Sequence, residues 1–226
     1  VRSIVVVSSA PTGGVGVLEP SIGCLACGRI VYLPLNLDNL ATPTGVPLQL
    51  AHVRALLFTS KHAPLSLEHG LANSDALTFL KSLPAFVLAP KSAQVAKDLG
   101  FNVAFMGQSG HAKGFIEEIK GLLPNPTLFV RAQETATNAL DFLPSLIAYQ
   151  NTPLKLPQEQ KPKPHSVLIF TAPSSYRHFL ANFAWDSSYS AVAIGQSTLN
   201  TLDPHICAHL SPQPSLEACI ALAKTL

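Results

Sequence analysis

An α/β fold of two similar lobes, with parallel sheets and a cleft between the lobes, is what this chain predicts. The first observation behind it is a repeat. RALLFTSKHAPLSL (Arg54 to Leu67) recurs as HSVLIFTAPSSYRHFL (His165 to Leu180). The echo continues in PAFVLAPKSAQVAKDLG (Pro84 to Gly100) and YSAVAIGQSTLNTL (Tyr189 to Leu202). Two copies this long are duplicated domains rather than units of a solenoid. The second observation is alternation: short β-branched runs alternate with helical patterns in both copies, which argues for parallel strands covered by helices on both faces. The third is size, since 226 residues suffice for one large domain or two of about 100.

Taken in order, Ser3 to Val7 is a β-branched run opening into Ser-Ser-Ala-Pro, as a buried parallel strand does. Arg29 to Leu35 is a second strand, stopped at Pro34, and Asn36 to Pro47 reads as linker. Ala55 to Thr59 is a strand followed by a helix through Leu67. Ala85 to Ala89 is a strand, and Ser92 to Leu99 a helix that Gly100 closes as a C-terminal cap. Asn102 to Phe105 is a short strand. His111 to Leu123 is a helix with Phe115, Ile119, Leu122 and Leu123 on its apolar stripe. The cycle then restarts, with Thr127 to Val130 matching the opening strand. SLIAYQNTP (Ser145 to Pro153) matches RIVYLPLNL (Arg29 to Leu37) and pairs Tyr149 with Tyr32. Thr152 to Pro164 is Pro-rich, charged and aperiodic, hence a linker or exposed loop. Strand Val167–Phe170, helix Ser175–Phe183, strand Ala191–Ile194, helix Thr198–Leu202 and strand Ile206–Leu210 follow. The last helix starts at the N-cap Ser215 and buries Leu216, Cys219, Ile220 and Ala223.

Composition excludes several function classes. Hydrophobic residues make up 47% and charged residues 12% of the chain, against roughly 25% charged in an average domain, which excludes disorder. A net charge of +2 without a Lys or Arg run gives no basis for nucleic-acid binding. No apolar stretch reaches the roughly 18 residues of a membrane span. The start, VRSIVVVSSAP, reads as a strand and not as a signal peptide, and its missing initiator Met as trimming or a chosen start point. Four Cys do not make a disulfide framework at this length, so a reducing, cytoplasmic setting is expected.

Ligands of parallel sheets bind outside the carboxyl ends of the strands. The segments there are Thr59-Ser60-Lys61-His62, Ala89-Pro90-Lys91-Ser92, Thr171 to Ser175, and Gly195 to Thr198. Each opens a helix and is rich in hydroxyls, Gly or Pro, so together they describe an anion receptor. For any one hydroxyl, plain helix capping is the competing reading. Lys61, Lys91 and Arg177 follow these turns as partners for carboxylates or as solvated charges. Cys24-x-x-Cys27 invites a zinc reading, and His205, Cys207 and His209 alternate along one strand face. No spacing among the five matches a standard site, so no metal is expected. Gly13-Gly14-Val15-Gly16 fails as a dinucleotide loop at Glu19 and reads as a flexible turn.

These motifs resemble the uroporphyrinogen-III synthase family. Its FTSxxA strand end is similar to Phe58-Thr59-Ser60-Lys61-His62-Ala63, and its repeated FTSPS to Phe170-Thr171-Ala172-Pro173-Ser174. Its GPTT turn resembles Gly195-Gln196-Ser197-Thr198, its Ser-capped last helix Pro214-Ser215-Leu216-Glu217, and its VYxT stretch Ala148-Tyr149-Gln150-Asn151. The chain departs from the pattern at Ala172 and Gln196, and at Arg131, which Ala132 follows with no second Arg.

The resemblance implies two flavodoxin-like lobes, residues 1–35 with 155–226 and residues 39–148. Antiparallel connectors would run near 36–38 and 149–154. It implies conversion of hydroxymethylbilane, a linear tetrapyrrole, to uroporphyrinogen III, with inversion of the terminal pyrrole by way of a spiro intermediate. Such an enzyme is a hydro-lyase without metal or organic cofactor, monomeric, and placed to receive substrate from the preceding pathway enzyme. Tyr149 becomes the expected proton donor, although its match to Tyr32 also suits a packing role. Thr59, Ser60, Lys61, Ser92, Thr171, Ser174, Gly195, Ser197 and Thr198 become the expected substrate-binding residues. Three other readings compete. A two-lobed, non-catalytic small-molecule binding protein is one. A flavin carrier would use Ser8 to Gly14, and a receiver domain would need acidic residues where Ser8 and Ser9 stand.

Overall fold

A computed structural model describes residues 2–9, 19, 21–135 and 137–226, and the Gly13–Gly16 turn lies outside them. The chain divides into two compact units, Val1–Ile30 with Asn151–Leu226, and Val31–Gln150.

The first unit is built on β1 (Ile4–Ser8), β2 (Ile22–Ala26), β9 (Val167–Phe170), β10 (Ser190–Ala193) and β11 (Ala208–Leu210). They lie in the order β11-β10-β9-β1-β2, all parallel. Apolar runs such as VLIF in β9 arise because both faces of a parallel sheet are covered. Leu168 and Phe170 pack with Tyr176, Phe179, Phe183 and Tyr189, while Val167 and Ile169 pack with Cys219 and Ala223. Tyr176 and Phe179 lie on α5 (Pro173–Leu180), Phe183 and Tyr189 in the turns after it, and Cys219 and Ala223 on α7 (Leu216–Ala223), with the short α6 (Gln196–Leu199) between the two helices in the chain. The cap of α7 is where the sequence places it: Ser215 Oγ accepts from the Ala218 N–H at 3.2 Å. Ser215→Ala is expected to lower unfolding free energy by about 1 kcal/mol, measurable as a lower urea midpoint at constant m-value.

The second unit carries β3 (Gly28–Tyr32), β4 (Ala55–Phe58), β5 (Ala85–Val87), β6 (Val103–Met106), β7 (Thr127–Ala132) and β8 (Ser145–Pro153) in one sheet. β3 and β8 begin or end in the first unit. The order is β3-β8-β7-β4-β5-β6, and all pairs from β8 onward are parallel. The Leu33 N–H donates to the Ala148 carbonyl and the Leu154 N–H to the Cys27 carbonyl, so β3 runs antiparallel to β8. α1 (His62–Gly70), α2 (Asp75–Ser82), α3 (Pro90–Asp98) and α4 (Ala112–Ile119) cover the sheet. Gly100, at φ +83°, closes α3 in the left-handed region that favours glycine. The helix expected over 111–123 stops earlier, at Ile119, because the chain turns at Gly121 with φ +78°.

The two sheets match place for place, β9, β10, β11, β1 and β2 standing where β4, β5, β6, β7 and β8 stand. Chain order differs. The strand pair that opens the first unit closes the second, so the two copies are circular permutants. Read in chain order, the first sheet is 2-1-3-4-5, the flavodoxin-like order. β7 takes the place of β1, as the match of Thr127 to the opening strand predicts. β8 takes the place of β2, however, and not of β3, with which its sequence aligns. β2 is not legible in the sequence. Its IGCLA buries only Ile22 and Leu25 and exposes Gly23 and Cys24, as a marginal strand does. Cys24 therefore lies within a strand. α2 also escapes the sequence reading, despite a Ser74 side-chain cap on the Leu77 N–H.

Candidate functional site

In open α/β sheets the crevice for ligands lies where strand order reverses, outside the carboxyl ends. That point falls between β1 and β9 in the first unit and between β4 and β7 in the second. The repeated Phe-Thr motif ends one strand of each pair.

In the second unit Thr59 and Ser60 leave β4 half-buried, and Lys61 occupies the N-cap of α1 without a side-chain cap bond. Ser60 Oγ accepts from the His62 N–H at 3.3 Å. The Ser60 side chain also hydrogen-bonds that of Tyr149, which is 5% exposed on β8. The His62 ring lies 5.7 Å from the Tyr149 ring, centroid to centroid. The Tyr149 carbonyl accepts from the Gln133 N–H at 2.8 Å, tying this turn of β8 to the end of β7. Burial raises the Tyr149 phenol above its usual range, the Ser60 bond opposes that, and Tyr32 adds to it. Burial, with Lys61 alongside, pushes His62 down to about 4, so its imidazole is neutral at pH 7. A neutral neighbour does not favour ionisation of the phenol as a cation would. Tyr149 is thus held as a protonated, buried phenol.

In the first unit Thr171 Oγ1 donates to the Val7 carbonyl at 3.2 Å, joining the ends of β9 and β1. Ser174 lies half-buried in the first turn of α5, where its Oγ accepts from Asn151 Nδ2 at 2.9 Å. The same Nδ2 donates to Ser9 Oγ at 2.6 Å.

The structure brings Ser60 together with Tyr149, and Ser174 to the same switch point as Thr171. The other predicted residues stand elsewhere. Ser92 is buried in the first turn of α3, after β5. Gly195 opens α6 with no atom within 4 Å of where a Cβ would sit, Ser197 is exposed, and Thr198 is buried. The sequence reading did not assign roles to His62, Ser9 or Asn151. Their signals were present: His62 opens the helix after the FTS turn, Ser9 follows the first strand, and Asn151 stands two residues beyond Tyr149. Only the sheet order joins them to the site.

Burial pushes the Cys27 thiol up to about 12, while Cys24 is exposed. Among the described residues no three His, Cys, Asp or Glu side chains cluster as ligands. β11 covers only Ala208–Leu210, so His205 and Cys207 lie outside the strand they were expected to share with His209. All four cysteines are free thiols. Among the described residues no helix is long and apolar enough to cross a membrane.

A family model described as uroporphyrinogen-III synthase HemD matches residues 38–221. The solved uroporphyrinogen-III synthetase from Helicobacter pylori is similar at 32% identity, covering 100% of this chain and 99% of that one, with a TM-score of 0.77. A mutant uroporphyrinogen III synthase from Thermus thermophilus has 13% identity, 98% coverage of both chains and a TM-score of 0.58, a likeness of fold. A comparison with curated proteins returns no match.

Proposed function

This chain belongs to the uroporphyrinogen-III synthase family, enzymes of tetrapyrrole biosynthesis, and from that premise we propose how its residues act. The reaction is the cyclisation of hydroxymethylbilane to uroporphyrinogen III. The observation that carries the residue assignment is Tyr149, buried, protonated, bonded to Ser60 and packed on a neutral His62 at a switch point.

Electron-rich pyrroles expel the terminal hydroxyl largely unaided, so the protein supplies positioning and a proton. The Tyr149 phenol gives its proton to the leaving oxygen as the carbon–oxygen bond breaks, and water departs. Ser60 stabilises the phenolate by a charge-assisted hydrogen bond. Ring closure, with inversion of the terminal pyrrole, releases a proton that restores the phenol. Net loss of water makes the enzyme a hydro-lyase, and this chemistry requires no metal or organic cofactor. Thr59, Ser60 and Lys61 in the second unit, and Thr171, Ser174, Gly195 and Ser197 in the first, bind carboxylates of the substrate. Ser92 and Thr198, being buried, act in their own turns, at the starts of α3 and α6, by supporting the backbone there. We place the enzyme in the cytoplasm as a monomer, consistent with its free thiols. It would take its substrate from the enzyme that assembles the linear tetrapyrrole.

The purified chain, given fresh hydroxymethylbilane, is expected to yield the type III isomer by chromatographic analysis of the oxidised product. A yield of type I alone, the spontaneous product, would return the chain to the non-catalytic binding reading, which the family match disfavours.

A further inference from the structure

We propose that Tyr32 is a second catalytic phenol of the second unit, donating a hydrogen bond to the same leaving oxygen that Tyr149 protonates. The role rests on the proposed function, since it takes hydroxymethylbilane as the substrate.

Strand pairing fixes where Tyr32 stands. The Leu33 N–H donates to the Ala148 carbonyl at 3.0 Å and the Leu154 N–H to the Cys27 carbonyl at 2.9 Å. Both bonds belong to one antiparallel register of β3 on β8, and in that register Tyr32 lies directly opposite Tyr149. Leu33 and Ala148 are a hydrogen-bonded pair, so the next pair, Tyr32 and Tyr149, is a non-hydrogen-bonded one. Side chains of such a pair share a face of the sheet and approach most closely. The two phenols sense each other accordingly: charge on Tyr32 disfavours charge on Tyr149. Helix α1 meets both rings. Tyr32 packs on His69 at 5.3 Å between ring centroids, as Tyr149 packs on His62. The two histidines are seven residues apart, two turns along one face of the helix.

The Tyr32 hydroxyl differs from the others. The chain has four tyrosines, and three of them bond their hydroxyls inside the protein. Tyr149 bonds Ser60, Tyr176 donates to Asp203 at 2.6 Å, and Tyr189 donates to the Pro162 carbonyl. Among the described residues, the Tyr32 hydroxyl bonds none. Tyr32 is also half-buried where Tyr149 is 5% exposed, so the uncommitted donor is the more accessible phenol. Burial raises its pKa too, which keeps its proton in place at neutral pH.

An oxygen has two lone pairs and can accept from two donors. As the carbon–oxygen bond breaks, its electron pair stays on the departing oxygen. Tyr149 transfers its proton there, and Tyr32 donates a hydrogen bond that strengthens as charge develops. Water leaves, and the proton released at ring closure returns to Tyr149. Where Tyr149 is replaced by Phe, Tyr32 transfers its own proton and is restored in the same way.

The test is a double-mutant cycle in the full chain with fresh hydroxymethylbilane, counting only the type III isomer. Tyr32→Phe keeps the ring on His69 and breaks no hydrogen bond among the described residues, so its thermal melt should match the native one. In the native background it is expected to lower kcat about threefold, the net effect of one hydrogen bond. In the Tyr149→Phe background it is expected to lower kcat about tenfold or more, because it removes the remaining acid. A ring needed only for packing would move kcat in neither background. An unchanged kcat, or a fall no larger in the Tyr149→Phe background than in the native one, overturns the role while the native chain still forms type III. Tyr32→Leu, read in both backgrounds, serves if Tyr32→Phe does not fold. Type I alone from the native chain overturns the activity itself, and with it the substrate on which Tyr32 acts.

Discussion

Tyr149→Phe is expected to lower kcat about tenfold or more while leaving the fold intact, short of the roughly hundredfold at which general acids usually begin, because the pyrroles drive much of the reaction. The substitution removes one oxygen from a side chain 5% exposed and keeps the ring that packs on His62. Stability should change by about 1 kcal/mol or less, the net worth of the hydrogen bond lost at Ser60. KM should move little, since a proton transferred only in the transition state does not hold the ground state. Burial raises the phenol above its ordinary value, so the donor stays protonated through neutral pH and loses its proton only above about 10. The native kcat profile should therefore show no fall assignable to this group below that point. Isomer-resolved stopped-flow assays check the claim, and an unchanged kcat for the variant would remove the role given to Tyr149.

Acid sensitivity centred on His62 is the second large effect. Its folded pKa is about 4, lowered by burial and by Lys61 from 6.5. Between these values the unfolded chain binds the proton that the folded chain refuses. Stability from this group is thus complete above 6.5, falls as pH drops towards 4, and changes no further below that. The loss is on the order of 2 kcal/mol once solvent screening at a half-buried site is allowed for. Urea titrations at pH 7 and pH 4 should show the native chain losing this much more than His62→Phe, which carries no titrating ring. Equal losses in the two proteins would show that His62 protonates freely in the folded state.

Both predictions rest on contacts that sequence patterning approached unevenly. Strands β4 and β9 were legible to within a residue because both faces are buried, which writes continuous apolar runs into the chain. The cap at Ser215 was legible because a side chain bonding to its own helix is a local event. β2 was not, because its two buried residues, Ile22 and Leu25, fall on opposite faces and give neither an alternation nor a continuous apolar run. The permuted order of the copies was hidden for another reason: sequence similarity aligns segments, whereas strand order is decided by which edge each crossover returns to. SLIAYQNTP resembles RIVYLPLNL, yet it occupies the place of Ile22–Ala26.

Local chemistry, then, is what the residues determine alone: strand–turn–helix units, the two Phe-Thr motifs at strand ends, and Tyr149 as a phenol worth testing. Tertiary structure decided which of these groups meet. Ser60 and Tyr149 are far apart in sequence and bonded in space because β4 and β8 flank β7 in one parallel sheet. Ser9 and Ser174 come together because β1 and β9 are neighbours, and Asn151, near the end of β8, bridges them. Side-chain preferences act over a few residues, but the neutrality of His62 depends on burial, which only the packed chain supplies.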